Sequence, residues 1–232
     1  MCRRWLLTIW MMVVSCAAIA QNDYNVPDYN EIERLTKDKG SVFYYGSLFE
    51  KFKANDTTLT LRDYRMLYYG YFFQPDYSPF KFTSEADTMK AILALQELQP
   101  GDWKELQRVG RAHLAQNPFD LKGLNVVWIA SKQTGDSAAA RLYFDKLKKL
   151  VQTILSTGDG MSEKTAFHVV HVAHEYDIVN ILGFEFGGKQ NLTDNKCDFL
   201  TLKTNDEKVE GLYFDVSQIF KGYERSVTIK GD

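Results

Sequence analysis

The chain has 232 residues, of which 45% are hydrophobic, 25% charged and 14% aromatic. That balance excludes a disordered polymer and supplies the apolar mass of a cored fold. Lys and Arg number 28 against 30 Asp and Glu, and two of the basic residues sit at the extreme N-terminus. The remainder is acidic, which argues against a nucleic-acid binder or a polybasic membrane binder.

Residues 1–20 place Arg3-Arg4 before an apolar run from Trp5 to Val14, followed by Ser15-Cys16-Ala17-Ala18-Ile19-Ala20. A short positive region, a ten-residue apolar core and an Ala-x-Ala site predict a secretory signal peptide, too short to span a bilayer. The expected location is the periplasm or cell envelope. Val13-Val14-Ser15-Cys16 also fits a loose lipobox, in which Cys16 is lipidated and membrane attachment follows. Cleavage before Gln21 leaves Cys197 as the one cysteine, so no intrachain disulfide is expected and stability rests on the core.

Residues 21–40 read as a polar arm with a short helix at Tyr29 to Thr36, and 41–232 as one domain. Phe43, Tyr44, Leu48, Phe49 and Phe52 recur at helical spacing. Thr60 and Asp63 resemble a capping box opening a helix from Leu61 to about Phe73 that is apolar nearly all round. Pro75 and Pro79 exclude regular helix between Gln74 and Phe80. Ser84 is the expected cap of a helix from Glu85 to Leu98, with Leu95 to Leu98 facing inward. Three more helices follow: Asp102 to Gln116, Phe119 to Gln133 and Ser137 to Leu155. Their lengths and the Pro-marked turn resemble tetratricopeptide hairpins, although the array falls short of three repeats. Lys146, Lys148 and Lys149 read as a solvated face. A last long helix is expected from Ser162 to Leu182. Beyond it, alternation over Gly183 to Gln190, Asp198 to Thr204 and Gly211 to Val216 predicts strands, and Ser217 to Tyr223 a short terminal helix. The fold expected is α+β: a helical bundle over 41–182 and a three-stranded antiparallel meander over 183–232.

Two constellations are candidates for function. His168, His171, His174 and Glu175 gather three of the four histidines of the chain, and His171, His174 and Glu175 concentrate side chains that ligate zinc, with a metal-dependent hydrolase as the alternative they suggest. The acidic residue follows the second histidine, however, so the run is neither H-E-x-x-H nor H-x-x-E-H. Phe167, His171, His174, Ile178 and Ile181, spaced four, three, four, three, also form the inward stripe of an amphipathic helix. The second constellation is aromatic: 14 of the 40 residues from Phe43 to Phe82 are Phe or Tyr. Tyr68, Tyr69, Tyr71, Tyr77 and Phe80 could line a groove that stacks on a partner protein, peptide or glycan. No P-loop, dinucleotide fingerprint or nucleophile elbow is present, and no cofactor is expected. The leading expectation is a non-enzymatic binding module.

Tyr64, Leu67-Tyr68-Tyr69-Gly70-Tyr71, Tyr77 with Pro79, His174-Glu175-Tyr176-Asp177 with Leu182-Gly183, and Tyr213-Phe214-Asp215-Val216 together are similar to the domain-of-unknown-function 4919 family of exported Gram-negative proteins. The resemblance implies an exported, mostly helical protein with a small C-terminal sheet, and brings no known reaction, substrate or cofactor.

Overall fold

Local chemistry sets most helix starts. At α3 (Leu61–Gly70) the Thr60 hydroxyl accepts from the Asp63 amide at 3.2 Å, and the Asp63 carboxylate accepts from the Thr60 amide at 2.8 Å. Both ends of the capping box are therefore made, with Asp in the usual Glu position. Thr60→Ala is expected to cost about 1 kcal/mol, read as a lower urea midpoint with an unchanged slope. The structure, a computed structural model, describes residues 24–229, with side chains through Glu224. The predicted leader, Cys16 and the first residues of the arm lie outside the described residues.

The described residues form nine α-helices and a four-stranded sheet, in two compact units. One unit is Tyr29–Thr153. It contains α1 (Tyr29–Lys37), α2 (Tyr45–Lys53), α3 with a 3-10 turn at Tyr71–Phe73, α4 (Ser84–Leu93), α5 (Pro100–Gln116), α6 (Leu121–Gln133) and most of α7 (Ser137–Leu155). Helix α4 ends at Leu93, five residues short of expectation, and Leu95 is exposed instead of facing inward. Its cap is Thr83, one residue before the expected Ser84.

The core of this unit has an aromatic end and an aliphatic end. Fully buried Phe119 meets Phe52 at 5.5 Å, Tyr71 at 5.3 Å and Tyr68 at 6.0 Å between ring centroids. Edge-to-face geometry dominates these contacts, as aromatic quadrupoles prefer. Met89 of α4, Leu106 and Val109 of α5, and Val126 and Ala130 of α6 form the aliphatic end. Lys146 and Lys149 do not form the expected solvated face. Their ammonium groups stand over the rings of Phe52 at 4.3 Å and Tyr64 at 5.1 Å, and burial lowers the Lys146 pKa to about 8. The long methylene stems cover aromatic surface while the charges stay near water.

The second unit comprises residues 24–28 with Ile154 onward. Its N-terminal stretch is tied in by the Asn25 amide to the Ser156 carbonyl (2.9 Å) and by the Tyr24 hydroxyl to Asp159 (2.9 Å). The elements are β1 (Phe167–His168), α8 (Ala173–Ile181), β2 (Phe186–Leu192), β3 (Cys197–Leu202), β4 (Gly211–Asp215) and α9 (Ser217–Ile229). Strand order is β1-β4-β3-β2: the last three are antiparallel, and β1 lies parallel to β4 with Phe167 opposite Phe214 and His168 opposite Asp215.

The sheet is therefore four-stranded and mixed, not a three-stranded antiparallel meander. The expected long helix Ser162 to Leu182 is likewise replaced by a 3-10 turn at Glu163–Thr165, strand β1 and the nine-residue α8. Phe167, Val169 and Val170 are all buried. A short run of β-branched and aromatic residues suits a strand that is covered on both faces.

Gly158 permits the turn that feeds β1. A Cβ there would stand 1.9 Å from the Thr165 carbonyl oxygen and 2.9 Å from that of Ala166. Beside it the Gly160 amide bonds the same Thr165 carbonyl at 2.8 Å, and the Gly160 carbonyl accepts from the Tyr213 amide of β4 at 2.8 Å.

Candidate functional site

The histidine cluster lies where β1 hands over to α8. Because α8 starts only at Ala173, His171 precedes the helix while His174 and Glu175 occupy its first turn. The stripe from Phe167 to Ile181 is not one helical face, since Phe167 belongs to the sheet. The amides of His174 and Glu175 bond the carbonyls of His171 and Val172, each at 3.1 Å. The two imidazoles meet edge to face at 5.1 Å, and both are buried.

Glu175 has no exposed surface, and neither carboxyl oxygen makes a hydrogen bond. Burial first, and the neighbouring Asp198 second, push its pKa up to about 9. Desolvation disfavours the anion and a like charge adds to that, so the group carries a proton at neutral pH. Asp198 is raised as well, through burial, with partial relief from Gln190, whose side-chain nitrogen donates to it at 2.6 Å. The Tyr176 hydroxyl in turn donates to the Gln190 side-chain oxygen.

A carboxyl closed to solvent gives the hydrolase alternative no support. Among the described residues no group of three His, Cys, Asp or Glu side chains is arranged to hold a metal ion. Cys197 is buried, and burial followed by Asp215, Glu163 and Asp198 holds its thiol up at about 12, an unreactive state.

The predicted aromatic groove residues separate. Tyr68, Tyr69, Tyr71 and Tyr77 are all buried, and only Phe80 of the five is exposed. Tyr77 packs against Tyr71 at 5.3 Å and Phe72 at 5.1 Å, anchoring the Pro75 to Pro79 loop from beneath. Four of the five rings are thus committed to packing partners and offer no free face in this conformation. The packing also accounts for the Leu67-Tyr68-Tyr69-Gly70-Tyr71 block: a Cβ at Gly70 would stand 2.8 Å from the Thr36 methyl, so the end of α3 approaches α1 closely.

What the loop does present is Phe82, 92% exposed, together with Phe80 at 55%. Between them Lys81 turns inward, with its ammonium 3.3 Å from the Tyr71 hydroxyl and 3.9 Å from Asp76. On the far side Thr83 is buried as the cap of α4, its hydroxyl accepting from the Ala86 amide at 3.1 Å. Sequence reasoning did not single out Phe82. The signal was the alternation Phe80-Lys81-Phe82-Thr83 between a proline and a helix cap, where an extended segment sends alternate side chains to opposite sides.

A second missed feature is His113, the histidine outside the cluster. Its Nδ1 lies 2.7 Å from the Thr83 hydroxyl, and its Nε2 3.4 Å from Asp120 Oδ2. No motif spacing flags three residues drawn from a loop, the end of α5 and the start of α6.

Residues 30–225 match the family model described as Domain of unknown function (DUF4919). No curated protein and no solved structure matches the chain.

Proposed function

We propose that this chain, which belongs to the DUF4919 family, is an exported binding module that engages a partner protein or peptide through Phe80 and Phe82. The observation that carries the reading is Phe82, 92% exposed between two residues that are both held in place. Leaving a Phe side chain in water forgoes about 2 kcal/mol of burial. Here the forfeit comes with a backbone already fixed by Lys81 and Thr83, so little ordering entropy remains to be lost on binding. A preorganised, exposed aromatic is the kind of side chain that anchors an interface. Phe has no polar handle, which favours an apolar pocket in a protein over a glycan. The packed helices α4, α5 and α6 supply the rigid support. Export rests on the Arg3-Arg4, apolar-core and Ala-x-Ala pattern of residues 1–20.

The test is a photocrosslinking amino acid at position 82 in the native host, paired with Phe82→Ala. The expected result is one dominant crosslinked partner whose affinity falls about 10- to 100-fold on Phe82→Ala, with an unchanged circular dichroism spectrum. Equal affinity of a folded Phe82→Ala protein for that partner would sink the reading.

A further inference from the structure

Beyond partner binding, we infer that Thr83, His113 and Asp120 form an acyl-transfer site, with the Thr83 hydroxyl as acceptor for small activated esters. The three side chains lie in series. Thr83 Oγ1 is 2.7 Å from His113 Nδ1, and His113 Nε2 on the opposite edge of the ring is 3.4 Å from Asp120 Oδ2. The carboxylate beside Nε2 favours the tautomer with the proton on that nitrogen, which leaves the Nδ1 lone pair facing the hydroxyl. A hydroxyl donating to an imidazole that is oriented by a third group is the arrangement of an activated nucleophile. The ring nitrogens exchange places relative to the serine-protease order, yet the connectivity of nucleophile, base and orienting carboxylate is the same. The 3.4 Å separation lacks hydrogen-bond geometry, as catalytic contacts without substrate often do.

Helix capping explains part of this cluster and leaves part over. Thr83 caps α4 through Ala86, and Asp120 caps α6 through the Gly123 amide, and each needs only an oxygen acceptor for that duty. Neither cap requires the imidazole, which is itself buried between them. The same corner holds an independent sign of a missing ligand. Asn117, 6% exposed, joins the segment by its amide to the His113 carbonyl (2.8 Å) and by its carbonyl to the Asp120 amide (3.3 Å), while its side-chain oxygen is buried without a hydrogen-bond partner. Buried acceptors of this kind are normally satisfied, so a ligand hydroxyl or amide hydrogen is the natural complement. Thr83 is 8% exposed, and its neighbours Phe82 and Ser84 are open to solvent. So small an exposure limits the acyl group to a small one.

In the acylation step the Thr83 oxygen attacks the ester carbonyl and its proton passes to His113 Nδ1. A C–Oγ1 bond forms, the bond from carbonyl carbon to leaving oxygen breaks, and the leaving group departs with the proton held by the imidazole. Water then reverses the sequence at the acyl-threonine, releasing the carboxylic acid and restoring the hydroxyl. The Ala86 amide, already directed at Oγ1, holds that oxygen in position for attack.

The experiment exposes the full-length mature protein to p-nitrophenyl acetate at neutral pH, follows p-nitrophenolate release, and maps acetyl groups by peptide mass spectrometry. Acetylation at Thr83 is expected, retained in Thr83→Ser and absent in Thr83→Asn, which keeps a good helix cap without a hydroxyl. His113→Gln is expected to slow it about 100-fold or more, the share of a general base. Acetyl groups confined to surface lysines in the folded wild-type protein would overturn the inference. So would a Thr83 acetylation rate unchanged by His113→Gln. Because Phe82→Ala leaves all three side chains in place, failure of the binding proposal and failure of this one are read separately.

Discussion

Glu175→Gln is expected to stabilise the sheet-containing unit at pH 8 and to flatten its dependence on pH. The wild-type carboxyl has a folded pKa of about 9 against an ordinary 4.5, so between those values the folded state holds a proton that the unfolded state has released. Stability from this group is complete below about pH 4.5 and is lost progressively as pH rises toward 9. At 1.36 kcal/mol per pKa unit the full span is about 6 kcal/mol, and local relaxation of so unfavourable an anion reduces it to an expected 2–4 kcal/mol at pH 8. Glutamine keeps the shape, carries no titrating proton, and can offer an amide hydrogen toward Asp198. Thermal melts of both proteins from pH 5 to 9 provide the check, with hydrogen exchange of α8 and β3 as the local readout. Asp198, itself raised, leaves a smaller residual slope in the variant. Parallel pH profiles for the two proteins would show that Glu175 does not carry the penalty.

Gly158→Ala should be the most damaging added methyl group among the described glycines. Its new carbon would stand 1.9 Å from the Thr165 carbonyl oxygen, 2.5 Å from the Thr165 carbonyl carbon and 2.9 Å from the Ala166 carbonyl oxygen. All three are backbone atoms, so no side-chain rotamer relieves the clash, and the turn that delivers β1 to the edge of β4 must move. The expected cost is about 3–5 kcal/mol, at the upper end for point substitutions, with loss of soluble protein or a large drop in urea midpoint. Gly183→Ala is the control. That glycine has φ +86 and open space around its Cβ position, so it should cost about 1 kcal/mol through backbone strain alone. Comparable losses for the two would mean that the close approach at Gly158 is not the controlling contact.

The elements legible in the sequence were those specified within a few residues. The Thr60 and Asp63 box, the prolines at 75 and 79 and the Pro-marked turn before Phe119 located most of the helices through α7, and alternation located β3 and β4. Strand β1 was not legible, because two residues carry no period and its pairing with β4 spans 47 positions between Phe167 and Phe214. The intervening histidines happen to fall at helical spacing, which disguised the break at Val170 to Val172. The candidate site was less legible than the fold, for a related reason. Aromatic density identifies where rings are abundant, and only tertiary packing decides that Tyr68 to Tyr77 fill the core while Phe82 is left outside. The relation of Thr83 to His113 and Asp120 is long-range as well, and no local pattern encodes it.

The second unit is assembled from both sides of the first in the sequence: residues 24–28 precede it and Ile154 onward follows it. A chain that emerges N-terminus first therefore delivers all of Tyr29–Thr153 before β1, β3 or β4 exists. The helical unit can close in order of synthesis, but Tyr24 and Asn25 must wait for Ser156 and Asp159 to arrive before they find their partners. Until β4 is complete, β1 has no neighbour to pair with, and the buried surface around Phe167 remains open to other contacts. Truncation from either end should accordingly damage the same half of the molecule, a vulnerability that the order of residues along the chain conceals.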